Sequence, residues 1–252
     1  MISRLRLYLI FLVLSAIVMD CPAEIKWLNN NIDFGSVKES DGLIHKEFRG
    51  INIGNEADLI MNVATSCGCT SVEFPKDKVL PGDTAIIRFS FDPSGRPGRN
   101  EKTLKVFSSG SQGPERLTFS CVVKASEETL DKRFPNGGGG LRAESSELNI
   151  GEMKTNGRRY AFVGLYNQTE SPVSPVFYCD DKDVEVSIAP QTIGPDETSL
   201  MTIYIHGNRE IKNGLQTYLI KEKPTERDKE GLEIKLSVIW VPEVSGPVKR
   251  QD

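Results

Sequence analysis

Three landmarks of this chain occur twice at a nearly constant spacing. The pairs are Gly35 and Gly151, Asn52 and Asn167, and Pro81 and Pro195, which lie 116, 115 and 114 positions apart. Such a regular offset indicates a tandem duplication of one module of about 100 residues. The fold of the chain therefore reduces to the fold of a single module, repeated once.

Each module reads as a series of short strands. Residues 84–91 place Ile87, Phe89 and Phe91 alternately with Ile86, Arg88 and Ser90, which is the period-two pattern of a half-buried strand. Similar alternation occurs at 103–107, 117–122, 201–205 and 234–238, separated by Gly, Pro and Asn. Evenly spaced short strands without a helical period predict an all-β chain of two tandem immunoglobulin-like β-sandwich domains.

The composition between the repeats suggests the domain boundaries. Residues 125–140 are mostly charged or polar and end in four glycines, Gly137–Gly140, so we expect a flexible linker there. The first domain is then 24–124 and the second, diverged domain is 141–242. The polar residues 243–252 are expected to form a disordered tail.

The N-terminus has the pattern of a signal peptide. Arg4 and Arg6 precede an apolar run, and Cys21-Pro22-Ala23 has small residues where a signal peptidase cleaves, so residues 1–23 are predicted to be removed. The run is too short to span a bilayer. Lipid tethering through Cys21 is disfavoured, because Asp20 fits poorly before a lipidated cysteine. We therefore expect a periplasmic or secreted protein without a membrane span.

The charge balance argues against a nucleic-acid partner. The whole chain has 31 Lys and Arg against 35 Asp and Glu, a formal net charge of −4. The cations are not grouped into the basic patch that phosphate backbones attract.

The first module carries a pair of thiols that the second lacks. Cys67 and Cys69 stand in Ser66-Cys67-Gly68-Cys69-Thr70, whereas the corresponding place in the second module has Phe177-Tyr178-Cys179-Asp180. Residues i and i+2 of a strand point to one face, so both thiols could reach one soft metal ion or one oxidant. They could also bond to each other across Gly68, or one could bond to Cys121. A structural or disulfide role is favoured, and no cofactor is expected.

Other candidate site residues lie on loops. Arg96 and Asp92 belong to a Gly- and Pro-rich loop between two strands, where Arg96 could bind a partner or brace the loop. The glycines Gly35 and Gly151 are expected in turns, and Asn52 and Asn167 are expected to cap backbone groups rather than bind a ligand.

These motifs resemble a known family. The ordered set Phe34-Gly35, Asn52-Ile53-Gly54-Asn55, Ser66-Cys67-Gly68-Cys69-Thr70, Pro81-Gly82 and 91–98 is similar to the bacterial domain of unknown function 1573. That family in turn resembles the immunoglobulin-like domains of the ASPM/SPD-2/Hydin and major-sperm-protein type. The resemblance implies an envelope-associated binding or scaffolding module and supplies no reaction.

The function expected from the sequence is therefore binding rather than catalysis. The chain has only two histidines and none of the common nucleophile, phosphate-loop or zinc-protease motifs, so we predict that it is not an enzyme. The main hypothesis is an exported binding or scaffolding protein whose partner is an envelope protein or glycan. The alternative is a copper-binding or redox protein that uses Cys67 and Cys69.

Overall fold

The structure is a computed structural model that describes residues 23–138, 140–207, 213–224 and 231–242. The predicted signal peptide, apart from Ala23, and the predicted tail at 243–252 lie outside the described residues. None of the helices in the described ranges has the length and apolar character needed to cross a bilayer.

The chain is all-β, as its alternating patterns predicted. The strands of the first repeat are β1 (Ile25–Trp27), β2 (Asn31–Lys38), β3 (Ile44–Asn52), β4 (Ile60–Thr65), β5 (Thr70–Glu73), β6 (Thr84–Phe91), β7 (Gly98–Ser108) and β8 (Glu115–Lys124). Those that follow are β9 (Asn136–Gly138), β10 (Leu141–Ala143), β11 (Glu147–Lys154), β12 (Arg158–Asn167), β13 (Phe177–Tyr178), β14 (Val184–Ala189), β15 (Thr198–His206), β16 (Gly214–Glu222) and β17 (Glu233–Val241). The described residues also form a short 3-10 helix, Glu39–Asp41, and one α-helix, α1 (Glu127–Arg133).

The four sheets show the duplication directly. The first repeat has sheets of order β1-β3-β6-β5 and β2-β8-β7-β4. The second has sheets of order β10-β12-β15-β14, extended by β9, and β11-β17-β16-β13. Each strand of the first repeat thus has a counterpart at the same place in the second. The chain forms two tandem β-sandwich domains.

By their internal contacts the residues fall into two compact units. Among the described residues, one unit contains 23–33, 43–92 and 101–120, and the other contains 34–42, 93–100 and those between 121 and 242. The sequence-based domain boundaries stay predictions, because this division follows the contacts within each unit rather than the repeat.

The inward residues of the alternating strands form the cores. In the first domain Phe89 stacks between Phe48 and Phe119, with ring centroids 5.2 and 4.8 Å apart. In the second, Trp240 is 1% exposed and donates a 3.0 Å hydrogen bond from Nε1 to the hydroxyl of Tyr218. Burial of these large side chains on both inner faces supplies the main stabilisation of each sandwich.

The repeated glycines sit within strands rather than in turns. Gly35 lies in β2 with φ +69° and Gly151 lies in β11 with φ +71°. The pairing of β11 with β17 shifts register between Asn149 and Glu152, which makes Gly151 part of a β-bulge. The expected positive φ is therefore present at both glycines, and at Gly151 it serves a bulge and not a turn.

The repeated asparagines cap backbone groups, as predicted. Asn52 and Asn167 end β3 and β12, and both are buried. Each side-chain amide donates to two equivalent backbone carbonyls, with Gly194 as a third for Asn167, and each side-chain oxygen accepts from a backbone N–H two residues on. The carbonyl partners are Glu56 and Val79 in the first domain and Ser171 and Ile193 in the second. The N–H donors are Gly54 and Thr169.

The segment predicted to be a flexible linker contains a helix and a short strand, α1 and β9. Ser126 caps α1, its side chain accepting from the backbone N–H of Thr129. Leu130 and Phe134 are buried against Tyr166. Four-residue spacing puts Leu130 and Phe134 on one side of the helix and its C-terminal cap, which is how a mostly charged segment still buries apolar surface.

A polar contact also fixes the start of this segment. The backbone N–H of Ala125 donates to the Tyr166 hydroxyl at 3.1 Å, and that hydroxyl donates to Asp196 at 2.9 Å. Burial, together with the Asp196 carboxylate, raises the pKa of Tyr166 well above its ordinary value, so the hydroxyl stays protonated and remains a donor.

Candidate functional site

The thiol pair lies on a crossover between the two sheets of the first domain. Residues 66–69, here called the thiol loop, connect β4 of one sheet to β5 of the other. The backbone N–H of Ser66 donates to the carbonyl of Thr103 at 3.0 Å, and the carbonyl of Cys69 accepts from Asp92 at 3.0 Å. The loop is therefore tied to β7 on one side and to the end of β6 on the other.

The two thiols are bonded to each other. Cys67 and Cys69 form a disulfide, the first of the pairings considered from the sequence, and both residues are half-buried. The hydroxyl of Thr70 lies 3.5 Å from Sγ of Cys67, and the Thr65 hydroxyl donates to the carbonyl of Cys67 at 2.9 Å. The loop around the disulfide is thus lined by hydroxyl groups rather than by charges.

The other cysteines of the described chain are reduced. Cys121, the alternative disulfide partner, is buried in the first core on β8, so a bridge to it is not formed. Cys179 follows β13 at the place where the thiol loop follows β4, but it has no neighbouring cysteine. Burial raises the pKa of the Cys179 thiol, which keeps it protonated and weakly nucleophilic.

The metal interpretation gains no further ligands from the fold. Among the described residues there is no group of three or more His, Cys, Asp or Glu side chains placed to hold one ion. The two sulfurs would need to be reduced before they could act as thiolate ligands.

We expect the disulfide to contribute little to stability. It closes a loop of only three residues, so it removes little conformational entropy from the unfolded chain, and replacing both cysteines with serine should cost about 1–2 kcal/mol. Urea unfolding of the double variant Cys67→Ser/Cys69→Ser, beside the wild type with and without reductant, measures this. A loss above about 3 kcal/mol would instead identify the disulfide as a main support of the domain.

The predicted Arg96 loop braces itself. The Arg96 guanidinium donates to the carbonyl of Ser94 at 2.6 Å, and the Arg96 backbone carbonyl accepts from the side chain of Asn100 at 2.7 Å. Asp92 contributes its backbone N–H to the thiol loop, as described above. These contacts favour the bracing interpretation of Arg96 over a binding role.

A different surface, on the second domain, has the character of a binding site. The strands β12 and β15 present large side chains on the outer side of their sheet. We call this set the aromatic face: Tyr160, Phe162, Leu200, Tyr204 and His206. Tyr160, Phe162 and Leu200 are 60%, 59% and 46% exposed.

The strand register brings these residues together. Tyr160 pairs with Tyr204 across the two strands, and their ring centroids are 4.9 Å apart. Tyr204 meets His206 edge to face at 5.5 Å. Leu200 pairs with Gly164, and the Glu144 carboxylate lies over Gly164 and accepts a 3.1 Å hydrogen bond from its backbone N–H. The result is a row of adjoining apolar and aromatic groups in contact with solvent.

Sequence reasoning found only part of this face. The alternation of β15 correctly predicted that Tyr204 points away from the buried Met201, Ile203 and Ile205. In β12, however, Tyr160 and Phe162 alternate with Ala161 and Val163, so both sides are apolar and the pattern does not distinguish them. Side-chain size was the available signal for β12, because the smaller Ala161 and Val163 face the core and the larger Tyr160 and Phe162 face the solvent.

Comparison with known proteins identifies the first domain. Residues 25–123 match the family model described as "Protein of unknown function (DUF1573)". No curated protein matches the chain.

Several solved structures are weakly similar. A protein of unknown function from Porphyromonas gingivalis W83 is 12% identical with a TM-score of 0.36, over 85% of this chain and 99% of that one. The CupB2 chaperone of Pseudomonas aeruginosa is 11% identical with a TM-score of 0.31, over 84% and 98%. An endo-fucoidan hydrolase of glycoside hydrolase family 107 is 9% identical with a TM-score of 0.38, over 87% of this chain and 29% of that one. At these values the likenesses carry no conclusion about function.

Proposed function

We propose that this chain, whose residues 25–123 match the DUF1573 family model, is an exported, non-catalytic binding protein of the bacterial cell envelope. The observation that supports binding is the aromatic face. Soluble proteins seldom leave several large apolar side chains side by side in water, and such patches commonly mark interaction sites. Aromatic residues are also enriched among those that dominate binding energy.

The aromatic face is held rigidly by the sheet, which favours binding. Its residues stand on two central strands held by nine consecutive cross-strand pairs, from Arg158–His206 to Tyr166–Thr198. Side chains on such a frame lose little freedom when a partner docks, so less of the interaction energy is spent on ordering them. Export rests on the N-terminal sequence pattern and is part of the proposal.

The copper or redox alternative is not proposed. Copper binding requires Cys67 and Cys69 as thiolates, and they form a disulfide in this structure. A redox role is compatible with the disulfide, but no observation beyond the disulfide itself supports one. Within the part of the chain that the structure describes, no group of three or more His, Cys, Asp or Glu side chains is placed to hold a metal ion.

Retention of envelope material tests the binding proposal. Immobilised protein is incubated with a solubilised envelope fraction, and the retained proteins and carbohydrates are quantified. The double variant Tyr160→Ser/Phe162→Ser should retain at most about a tenth of what the wild type retains, since loss of two central aromatic contacts costs at least about 1.4 kcal/mol.

Leu215→Ser is the matched control. Leu215 lies on β16 in the other sheet of the same domain and is 68% exposed, so the substitution also removes an exposed apolar side chain. It should leave retention unchanged. Failure of the wild type to retain anything, or equal losses in the control, would contradict the proposal.

A further inference from the structure

A basic cleft adjoins one end of the aromatic face. It is an open cleft of about 410 Å³, and the charged residues on its wall are Lys154, Arg158, Arg159 and Glu152. Three cations therefore face one carboxylate. Both arginines are exposed, and in the described part of the chain no ion pair joins either of them to an acidic side chain. The cleft thus offers cationic groups that are available to an external anion.

Arg158 belongs to both the cleft and the sheet surface. It stands two residues before Tyr160 on β12, and residues i and i+2 of a strand lie on the same side. It also pairs in register with His206, which contacts Tyr204. One strip therefore runs along the outer side of the sheet from Arg158 through the Tyr160–Tyr204 pair to Phe162 and Leu200. The exposed carboxylate of Glu185 borders this strip, because Glu185 pairs with Tyr204.

The order of groups along this strip limits what can bind. Guanidinium groups hold carboxylates or sulfates through paired, charge-assisted hydrogen bonds. The flat faces of aromatic rings pack on flat apolar surfaces. Sugar rings provide such a surface through their C–H groups, and acidic sugars carry their carboxylate on the same unit. A peptide would more naturally add to a strand edge or fill side-chain pockets, whereas this strip lies on the face of a sheet.

We propose that the aromatic face and the basic cleft together bind an anionic carbohydrate, with sugar rings packed on Tyr160 and Tyr204 and an acidic group held by Arg158, the cleft cation on the same side of β12 as Tyr160. This inference rests on the proposed binding function and gives its ligand a chemical class. It uses only residues of the second domain, so the first domain is not required for the contact.

Titration calorimetry with defined oligomers tests the ligand class. The probes are an octamer of galacturonate, a neutral glucose oligomer of the same length and octaglutamate. The galacturonate octamer should bind the full-length protein, and the two others should bind at least about tenfold more weakly. Arg158→Ser/Arg159→Ser should weaken galacturonate binding by about tenfold or more, as expected for the loss of charge-assisted hydrogen bonds.

A matched variant controls for net charge. Lys105→Ser/Lys124→Ser removes two exposed cations from β7 and β8 and should change the affinity less than twofold. Thermal unfolding of both double variants confirms that each is folded.

Each contrary result has a distinct meaning. Equal binding of octaglutamate would replace the carbohydrate by an acidic peptide, and equal binding of the neutral oligomer would remove the role of the cations. No galacturonate binding would overturn the inference. If the aromatic face still governs retention of envelope material, the binding function survives that result.

Discussion

Replacing Asn167 with alanine is expected to lower the free energy of unfolding of the second domain by about 3–5 kcal/mol. The side chain is fully buried and bridges three chain segments. Its amide donates to the carbonyls of Ser171 and Ile193 at 2.9 and 3.0 Å, and its oxygen accepts from the N–H and hydroxyl of Thr169. Alanine leaves these buried groups unpaired, at about 1–3 kcal/mol for each group that water cannot reach.

Asn52 should behave in the same way in the first domain. Its amide donates to the carbonyls of Glu56 and Val79 at 2.7 and 2.9 Å, and its oxygen accepts from Gly54 at 3.0 Å. The two networks share these partner positions and differ in one further contact each, from Asn167 to the carbonyl of Gly194 at 3.1 Å and from the N–H of Glu24 to Asn52 at 3.4 Å. The losses for Asn52→Ala and Asn167→Ala should therefore agree within about 1.5 kcal/mol.

NMR during urea titration can follow the two domains separately. The indole N–H signal of Trp27 reports on the first domain and that of Trp240 on the second, and these are the two tryptophans of the chain. Asn55→Ala serves as the control, because Asn55 is exposed and its loss should cost less than about 0.5 kcal/mol. A cost below about 1 kcal/mol for either buried asparagine would contradict the assigned role.

The second large loss of stability is expected on replacing Asp58 with valine, the residue that the repeat has at the equivalent position. Asp58 is fully buried, and its carboxylate accepts 2.9 Å hydrogen bonds from the hydroxyls of Ser108 and Ser109 and from the N–H of Gly110. The equivalent residue of the second domain is Val173, which forms the same backbone bridge, to Ile193. Valine therefore fits the strand position, but in the first domain it would leave three donors unpaired.

We expect Asp58→Val to lower the free energy of unfolding by about 3 kcal/mol. The loss of three hydrogen bonds to the carboxylate outweighs the gain from no longer burying a charge. Asp58→Asn keeps one acceptor oxygen and should cost about half as much. Urea unfolding at neutral pH measures both. If Asp58→Val were as stable as the wild type, the hydrogen bonds of the Asp58 carboxylate would not contribute to the stability of the first domain.

Local patterns were sufficient to predict the strands and the landmarks. Period-two alternation correctly placed residues such as Phe89, Phe119 and Ile203 in the cores, because one side of each strand is apolar and the other is not. The positive φ of Gly35 and Gly151 followed from their repetition, although the bulge did not. The Asn52 and Asn167 caps followed from their position at strand ends.

Features that depend on distant residues were not predictable in this way. The donors that hold Asp58 lie about fifty positions further along the chain, so no local pattern shows them. The helix at Glu127–Arg133 was missed for a different reason. Ser126 followed by Leu130 and Phe134 is a helix signal, but the charged and glycine-rich composition of 125–140 concealed it. The aromatic face needed the register of β12 with β15, which the structure alone provides.

The most direct test of the binding function is photo-crosslinking in intact cells. A benzophenone-bearing amino acid is introduced in place of Phe162 or, in a second strain, in place of Leu215, the exposed apolar residue on the other sheet. Benzophenone reacts with nearby C–H bonds, so it captures protein and carbohydrate partners alike. We predict a crosslinked adduct of the Phe162-substituted protein and none of the Leu215-substituted protein. Absence of an adduct at position 162, or equal adducts at both positions, would contradict the assignment of the aromatic face as the binding surface.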